Sequence, residues 1–284
     1  MYTLHGSNRI FSLRLCVSAV NIFIMQNHSR IQELFSLEGK VALITGSYQG
    51  LGLVLARGLG QAGATIVLNG RHSEKLDKAI GQLSQEGLTV YGYTFDVTKS
   101  DQIQTAISKI EAEVGPIDIL VNNAGVQRRA PLEQMEEAAW REIIETNLTG
   151  AFLVAKQVAQ GMIARKAGKI INIGSLQCEI SRNTIAPYSA SKGGLKMLTK
   201  GMATDWGQYN IQTNAIGPGY FLSEMTKPLA DDPKFDNWLK ARTPMGRWGD
   251  QTELVGAIIF LASAASSFVN GHTLYVDGGI LATI

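Results

Sequence analysis

From Gly39 onward the chain repeats one pattern. A short unbroken apolar run is followed by a polar or glycine-rich break, and then by a longer stretch with apolar residues at helical spacing. Seven runs have strand character: Val41–Gly46, Thr65–Gly70, Val90–Asp96, Ile117–Asn123, Lys169–Ser175, Ile211–Gly219 and Thr273–Gly279. They do not alternate apolar with polar residues, so both faces of each strand must be covered, as in a parallel sheet with helices above and below. The intervening stretches supply those helices: in SDQIQTAISKIEAEVG, Ile103, Ile107 and Ile110 fall on one face. Ser73 and Ser100 are the expected N-caps of two of them. Strand and helix alternating this regularly predict an α/β fold, a doubly wound parallel seven-stranded sheet with right-handed crossovers. Such a sheet binds ligands at the carboxyl ends of its strands, near the switch in strand order.

With 284 residues, 45% of them hydrophobic, the chain can bury one large core and is expected to form a single domain. Its 26 basic and 24 acidic residues are scattered and leave a net charge of +2, which gives no electrostatic footprint for nucleic acid. Two cysteines, Cys16 and Cys178, do not make a disulfide framework, which points to a reducing, cytoplasmic setting. The four histidines lack metal-ligand spacing, so no metal site is expected. Residues 1–35 read differently: no acid precedes Glu33, and the apolar run from Leu15 to Met25 is too short to span a bilayer. We expect them to lie outside the fold, either as an amphipathic tail or as a stretch ahead of a translation start at Met25, with the domain in residues 36–284.

The first strand runs into TGSYQGLG, which puts Gly46, Gly50 and Gly52 between a strand and a helix. Glycines there let the main chain turn tightly and approach a pyrophosphate, whose charge is favoured at a helix N-terminus. With Ser47, Gln49 and Leu51 they are candidate dinucleotide-binding residues. The second strand discriminates between dinucleotides. An acid at its end would bond the ribose 2′-hydroxyl of NAD, but this chain has Asn69, Gly70 and Arg71. Without a carboxylate to repel a 2′-phosphate, and with a guanidinium able to grip one, NADP is favoured over NAD. The alternative is that Arg71 is only a solvated turn residue. The Ser47 hydroxyl is expected to join the same phosphate site.

Two further strings carry chemistry. PYSASKGGL holds Tyr188 and Lys192 four residues apart, hence on one face of a helix, and Ser175 ends the fifth strand. With NNAG and TGSYQGLG they resemble the short-chain dehydrogenase/reductase family, from about Leu37 to the C-terminus. The resemblance implies a Rossmann-type fold and reversible hydride transfer between a nicotinamide cofactor and a carbinol/carbonyl pair. It makes Tyr188 the general acid/base, Ser175 the hydroxyl that holds the substrate oxygen, and Lys192 a partner of both the phenol and the nicotinamide ribose. A free tyrosine titrates near 10, and a neighbouring ammonium together with the positive charge of the oxidised nicotinamide is expected to lower that value. The same resemblance makes Asn147 a member of the proton relay. It assigns Asp96, Val97, Asn123, Ala124, Gly125, Pro218 and Gly219 to the cofactor. Ser223 stands where the family often has a threonine against the carboxamide. It also implies a homotetramer built through the Tyr188 helix and the C-terminal strand.

Substrate choice must come from the loops. LVNNAGVQRRAP places Arg128 and Arg129 on the rim past the fourth strand, and paired guanidinium groups suit a carboxylate. The alternative is that they bridge to Glu133, Glu136 or a neighbouring subunit. Gln177 and Glu179, just past Ser175, suit a polyhydroxylated chain, whereas Cys178 reads as packing. Residues 220–242 are expected to form a helical lid, with Phe235 and Trp238 on one face packing over the site or against another subunit. NNAGVQRRAP, GSLQCEI, RTPMGRWGD and SSFVNGHTLYVDGG further resemble the gluconate 5-dehydrogenase branch of the family. That implies a small sugar acid as substrate, NADP as cofactor, and no nucleic-acid or membrane partner. A thioester reductase or another aldonate or polyol dehydrogenase is the alternative.

Overall fold

The computed structural model describes residues 30–224 and 226–283, so the expectations for the first 29 residues lie outside the described part. All seven expected strands form: β1 (Val41–Ile44), β2 (Thr65–Gly70), β3 (Val90–Thr94), β4 (Ile119–Asn122), β5 (Gly168–Ile173), β6 (Ile211–Pro218) and β7 (Thr273–Val276). They make one parallel sheet in the order β3-β2-β1-β4-β5-β6-β7. The order reverses between β1 and β4, so the loops after these two strands diverge and leave a crevice.

The crossovers are α1 (Gly50–Gln61), α2 (Ser73–Gln85), α3 (Ser100–Glu113), α4 (Glu137–Ile144), α5 (Gly150–Arg165) and α6 (Ala186–Trp206). Successive residues of β1 enter opposite cores, which is why its sequence is apolar without interruption. Ala42 and Ile44 pack with Leu55 and Leu59 of α1 and with Leu76 and Leu83 of α2. Val41 and Leu43 pack with Ile103, Ile107 and Ile110 of α3 and with Val154 and Val158 of α5. Burying each such Leu, Ile or Val stabilises the fold by about 1.5–3 kcal/mol before the entropy of ordering it is charged. β3 departs from the expectation: as an edge strand it is only partly covered, and Tyr91 is exposed.

Ser73 and Ser100 are not the N-caps. Each is the first helical residue, and the capping positions fall to His72 and Lys99, whose carbonyls accept from Leu76 and Ile103. A serine already in helical geometry cannot fold its hydroxyl back onto the first turn.

After β6 the chain leaves the sheet and forms α7 (Lys227–Ala230) and α8 (Pro233–Arg242), then returns through α9 (Val255–Ala262) to β7. Asp232 caps α8 by accepting from the Lys234 amide at 3.0 Å. Leu239 of α8 is buried with Leu176, Trp248 and Ile280, a third core separate from the two that flank the sheet. The segment expected as a lid is therefore a small packed unit seated on the loop that follows β5.

Candidate active site

The strand ends at the crevice are held by side chains that bond the neighbouring main chain. Thr45 Oγ1 accepts from the amides of Asn123 (3.0 Å) and Ala124 (3.1 Å). The Asn123 amide donates to the carbonyls of Thr45 and Gly46, both at 2.9 Å. Asn69 Oδ1 accepts from the Gly46 amide at 3.2 Å, while its Nδ2 donates to the carbonyls of Tyr93 and Phe95. The loops after β1, β2, β3 and β4 thus form one hydrogen-bonded frame.

Within that frame the glycines are required. Gly46 and Gly50 have φ of +60° and +58°, and a Cβ on Gly52 would sit 2.5 Å from Asn123 Nδ2 and 2.7 Å from the Gly46 carbonyl. No side chain fills the turn ahead of α1, whose first-turn amides lack a side-chain cap, and Gln49 and Gly50 are exposed there. The cradle therefore fits a pyrophosphate. At its far side Arg71 is exposed, with Nη1 3.9 Å from Asp96 Oδ2, and Lys75 Nζ lies 5.9 Å from the Tyr48 ring centroid. Two exposed cations, Arg71 and Lys75, thus flank this rim. Ser47 does not join them. Its hydroxyl is fully buried, donates to the Ile44 carbonyl at 2.7 Å and accepts from the Asn69 amide at 3.1 Å. The hydroxyl has one proton and has spent it inward, tying β1 to β2. Asp96 Oδ1 is likewise engaged, by the amide and hydroxyl of Thr98.

The structure brings Ser175, Tyr188 and Lys192 together. Ser175 follows β5 and its hydroxyl accepts from the Gln177 amide at 3.1 Å, an arrangement that turns the Oγ toward the Tyr188 phenol. Tyr188 lies in the first turn of α6, and Lys192 one turn later, its Nζ 5.6 Å from the Tyr188 ring centroid. Lys192 Nζ donates to the Ile173 carbonyl at 2.6 Å. Burial dominates both groups: it pushes the phenol up to about 12, against a smaller lowering by Ser175, and pulls the ammonium down to about 8. The protein's own groups do not produce the expected lowering of the phenol, because burial of the phenol itself dominates.

Asn147 sits in a π-helical turn, Glu145–Thr149, that links α4 to α5. One extra residue in the turn directs its amide inward. Oδ1 accepts from the Val126 amide at 2.8 Å, and Nδ2 donates to the Val126 carbonyl at 3.0 Å and to Ser191 Oγ at 3.1 Å. The side chain thereby fixes the loop after β4 against the helix of Tyr188. Val97 is buried, and Gly125 lies against Asn147 Oδ1, 3.3 Å from where a Cβ would stand. Pro218 and Gly219 close β6, and a Cβ on Gly219 would strike Asp277 at 2.7 Å. Ser223 exchanges hydrogen bonds with Thr226, which places it at the start of the lid.

The rim residues divide. Arg128 Nη2 bonds Glu142 of α4 at 2.8 Å, so its partner is neither Glu133 nor Glu136. Arg129 has no ion-pair partner among the described residues and faces Arg182 and Tyr220; partial burial and the like charge of Arg182 loosen its proton. Gln177 is buried at 7% exposure, and its Oε1 lacks a partner. Glu179 goes elsewhere. It pairs with Lys196 and accepts from the Tyr275 hydroxyl at 2.5 Å, on the outer side of α6 and β7. Cys178 donates to the Lys192 carbonyl at 3.1 Å, and burial raises its thiol, in keeping with packing. Arg182, Tyr220, Thr45 and Asn69 join the rim and the frame without being marked as binding residues by the sequence patterns. Only Asn69 carried a signal, as the residue standing where an acid would select NAD.

The family model for short chain dehydrogenase matches residues 40–234. A 2-dehydro-3-deoxy-D-gluconate 5-dehydrogenase of Formosa agariphila is 55% identical over 254 residues, which is 89% of this chain and 96% of that one. A 5-keto-D-gluconate 5-reductase of Escherichia coli strain K12 is 52% identical over 89% of this chain and its own full length. The crystal structure of a gluconate 5-dehydrogenase from Burkholderia cenocepacia J2315 in complex with NADP and tartrate superposes with a TM-score of 0.88. It is 54% identical and covers 89% of this chain and 100% of that one.

Proposed function

This chain belongs to the short-chain dehydrogenase family, and on that premise we propose that it is an NADP-dependent oxidoreductase interconverting D-gluconate and 5-keto-D-gluconate. The observation that carries the reading is the juxtaposition of the Ser175–Tyr188–Lys192 group with a glycine cradle on one side and a rim bearing Arg129 and Gln177 on the other. A relative solved with NADP and a hydroxy-dicarboxylate, tartrate, supports both halves.

Gly46, Gln49, Gly50, Leu51 and Gly52 would hold the pyrophosphate, and Arg71 the 2′-phosphate. Asp96, Val97, Asn123, Ala124 and Gly125 would line the adenosine side, and Pro218, Gly219 and Ser223 the nicotinamide side. When bound there, NADPH supplies the hydride and NADP+ accepts one. The protein's own groups manage the oxygen. Ser175 donates to the carbonyl oxygen and orients it toward Tyr188. With its phenol titrating near 12, Tyr188 keeps its proton at neutral pH and is placed to give it to the forming alkoxide. Lys192, still charged below about 8, stabilises the phenolate left behind. For oxidation the roles reverse, and the first turn of α6 favours the phenolate through the helix dipole. Asn147 acts as a positioning residue through Val126 and Ser191. The two-helix lid over the β5 loop would exclude water during transfer.

A second reading has a specific observation behind it. The relative named for 2-dehydro-3-deoxy-D-gluconate is as similar to this chain as those named for gluconate. Both names place the reacting carbon at position 5 of a six-carbon acid, so the choice turns on the groups at carbons 2 and 3. We further propose that the enzyme acts in the cytoplasm as a homotetramer joined through α6 and β7; among the described residues no helix is long and apolar enough to cross a membrane.

The test is NADPH oxidation by the purified protein with 5-keto-D-gluconate, with NADH in place of NADPH and an acetoacetyl thioester run in parallel, and NADP+ reduction with 2-dehydro-3-deoxy-D-gluconate. Fast turnover with 5-keto-D-gluconate and NADPH is the expected result. Turnover only with 2-dehydro-3-deoxy-D-gluconate would select the second reading, and turnover only with the thioester would overturn both.

A further inference from the structure

Arg182 lies in the loop between β5 and α6, in the short stretch between the strings that hold Ser175 and Tyr188. Three contacts bring it to the rim. The Ala130 amide donates to the Thr184 carbonyl at 3.2 Å, joining the Arg182 loop to the loop of Arg129. Thr184 holds φ at +73°, a left-handed conformation that a β-branched residue adopts only under local constraint. The Arg182 guanidinium stacks 5.2 Å from the ring centroid of Phe235 on the lid helix α8. Phe235 in turn packs edge-on against Tyr220 at 5.7 Å, and the Tyr220 hydroxyl faces both Arg182 and Gln177.

The result is an unbalanced pocket wall. Two guanidinium groups, Arg129 and Arg182, stand close enough to repel one another. Neither forms an ion pair among the described residues, although Arg128 beside them does. Gln177, whose amide bonds the Ser175 hydroxyl, adds a buried, unpartnered Oε1. Like charges held together and a buried acceptor left empty both cost stability in the free protein, and one ligand relieves both: an anion flanked by a hydroxyl.

We propose that Arg182 and Arg129 form a carboxylate clamp beneath Tyr220 and Phe235, that Gln177 Oε1 accepts from the adjacent substrate hydroxyl, and that Arg182 sets the preference for acids over neutral polyols. This rests on the sugar-acid reading above. It also gives the lid a reason to close. The arginine that stacks on Phe235 is one that the carboxylate engages, so filling the clamp orders the root of α8.

The experiment compares the wild-type protein with Arg182→Met and Arg182→Lys, each with NADPH bound. The first readout is the ratio of kcat/KM for 5-keto-D-gluconate to that for the neutral ketose carrying a hydroxymethyl group in place of the carboxylate. Losing one charge-assisted bidentate contact should lower that ratio about tenfold or more in Arg182→Met, with partial recovery in Arg182→Lys. The second readout is tartrate binding by calorimetry, which needs no turnover. The same loss of about tenfold is expected there. Unfolding temperature and NADPH affinity, measured alongside, separate a damaged fold from a lost clamp. A ratio and a tartrate affinity both unchanged in Arg182→Met would overturn the proposal, as would equal losses for acid and neutral substrate. If the wild type did not reduce 5-keto-D-gluconate, the substrate reading would fall and tartrate binding alone would judge the clamp.

Discussion

Tyr188 and Lys192 sit one helical turn apart, yet the same burial moves them in opposite directions, the phenol to about 12 and the ammonium to about 8. Each is pushed toward its neutral form, because a low-dielectric site penalises charge of either sign. For reduction this has a definite consequence. In the proposed mechanism Tyr188 then holds the proton it donates throughout the accessible range, and the first requirement lost on raising the pH is the Lys192 charge. The pH profile of kcat/KM for ketone reduction should be flat on the acid side and fall above about pH 8; a profile flat to pH 10 would show that the ammonium is not needed. Tyr188→Phe should remove about a hundredfold or more of kcat while NADPH still binds, as read by fluorescence titration. Identity and spacing made this pair legible from the chain alone. Direction was not legible for every neighbour. Ser47 and Glu179 have the right chemistry for phosphate and substrate, but the Asn69 amide claims the first, and Lys196 and Tyr275 claim the second.

Among the elements, the lid helix α8 is tied down through Asp236. Trp248 is buried at 7% exposure, and its indole N–H donates to Asp236 Oδ1 of α8 at 2.8 Å, while Lys240 Nζ holds Oδ2 at 2.7 Å. These two donors keep the Asp236 carboxyl below its usual value, so the anchor is in place above the ordinary carboxylate range and is lost only as the pH falls through that lowered value. Asp236→Ala leaves a buried indole N–H without an acceptor. We expect it to raise KM for the acid about three- to tenfold with a smaller effect on kcat, and to hasten proteolytic nicking within α7 and α8. An unchanged nicking rate would mean that the aromatic cluster of Tyr220, Phe235, Trp238 and Trp248 suffices by itself. That residues 220–242 leave the sheet could be anticipated from the aromatic spacing. That they are seated on Leu176 and Ile280 could not, since both residues lie far from Leu239 in the chain and no local pattern encodes the contact.

At the scale of the molecule the sheet ends in β3 at one side and β7 at the other. Phe268, just before β7, is fully exposed, and Met197 on α6 is 62% exposed. Large apolar groups left in water beside an open sheet edge are the kind of surface that a second copy covers. Light scattering should therefore read about four times the 30.7 kDa chain mass, and Phe268→Asp should reduce the assembled size. A wild-type protein that ran as a monomer would refute the tetramer and return Phe268 to an isolated exposed side chain.

By itself the sequence determined the alternation of strand and helix, and with it the parallel sheet and the crevice at its reversal. Strand character follows from unbroken apolar runs, and those runs are forced whenever both faces of a strand are covered. It also determined the pairing of Tyr188 with Lys192, because a phenol and an ammonium four residues apart on a helix meet on one face wherever the helix is placed. Tertiary structure alone decided which polar side chains face the crevice and which are consumed by the frame. It turned Ser47 inward, bound Arg128 to Glu142, and brought Arg182, which no quoted string includes, to face Arg129. The reason is that hydrogen-bond demand is settled by neighbours distant in the chain: a hydroxyl or guanidinium is available to a ligand only if no buried amide or carboxylate has already taken it.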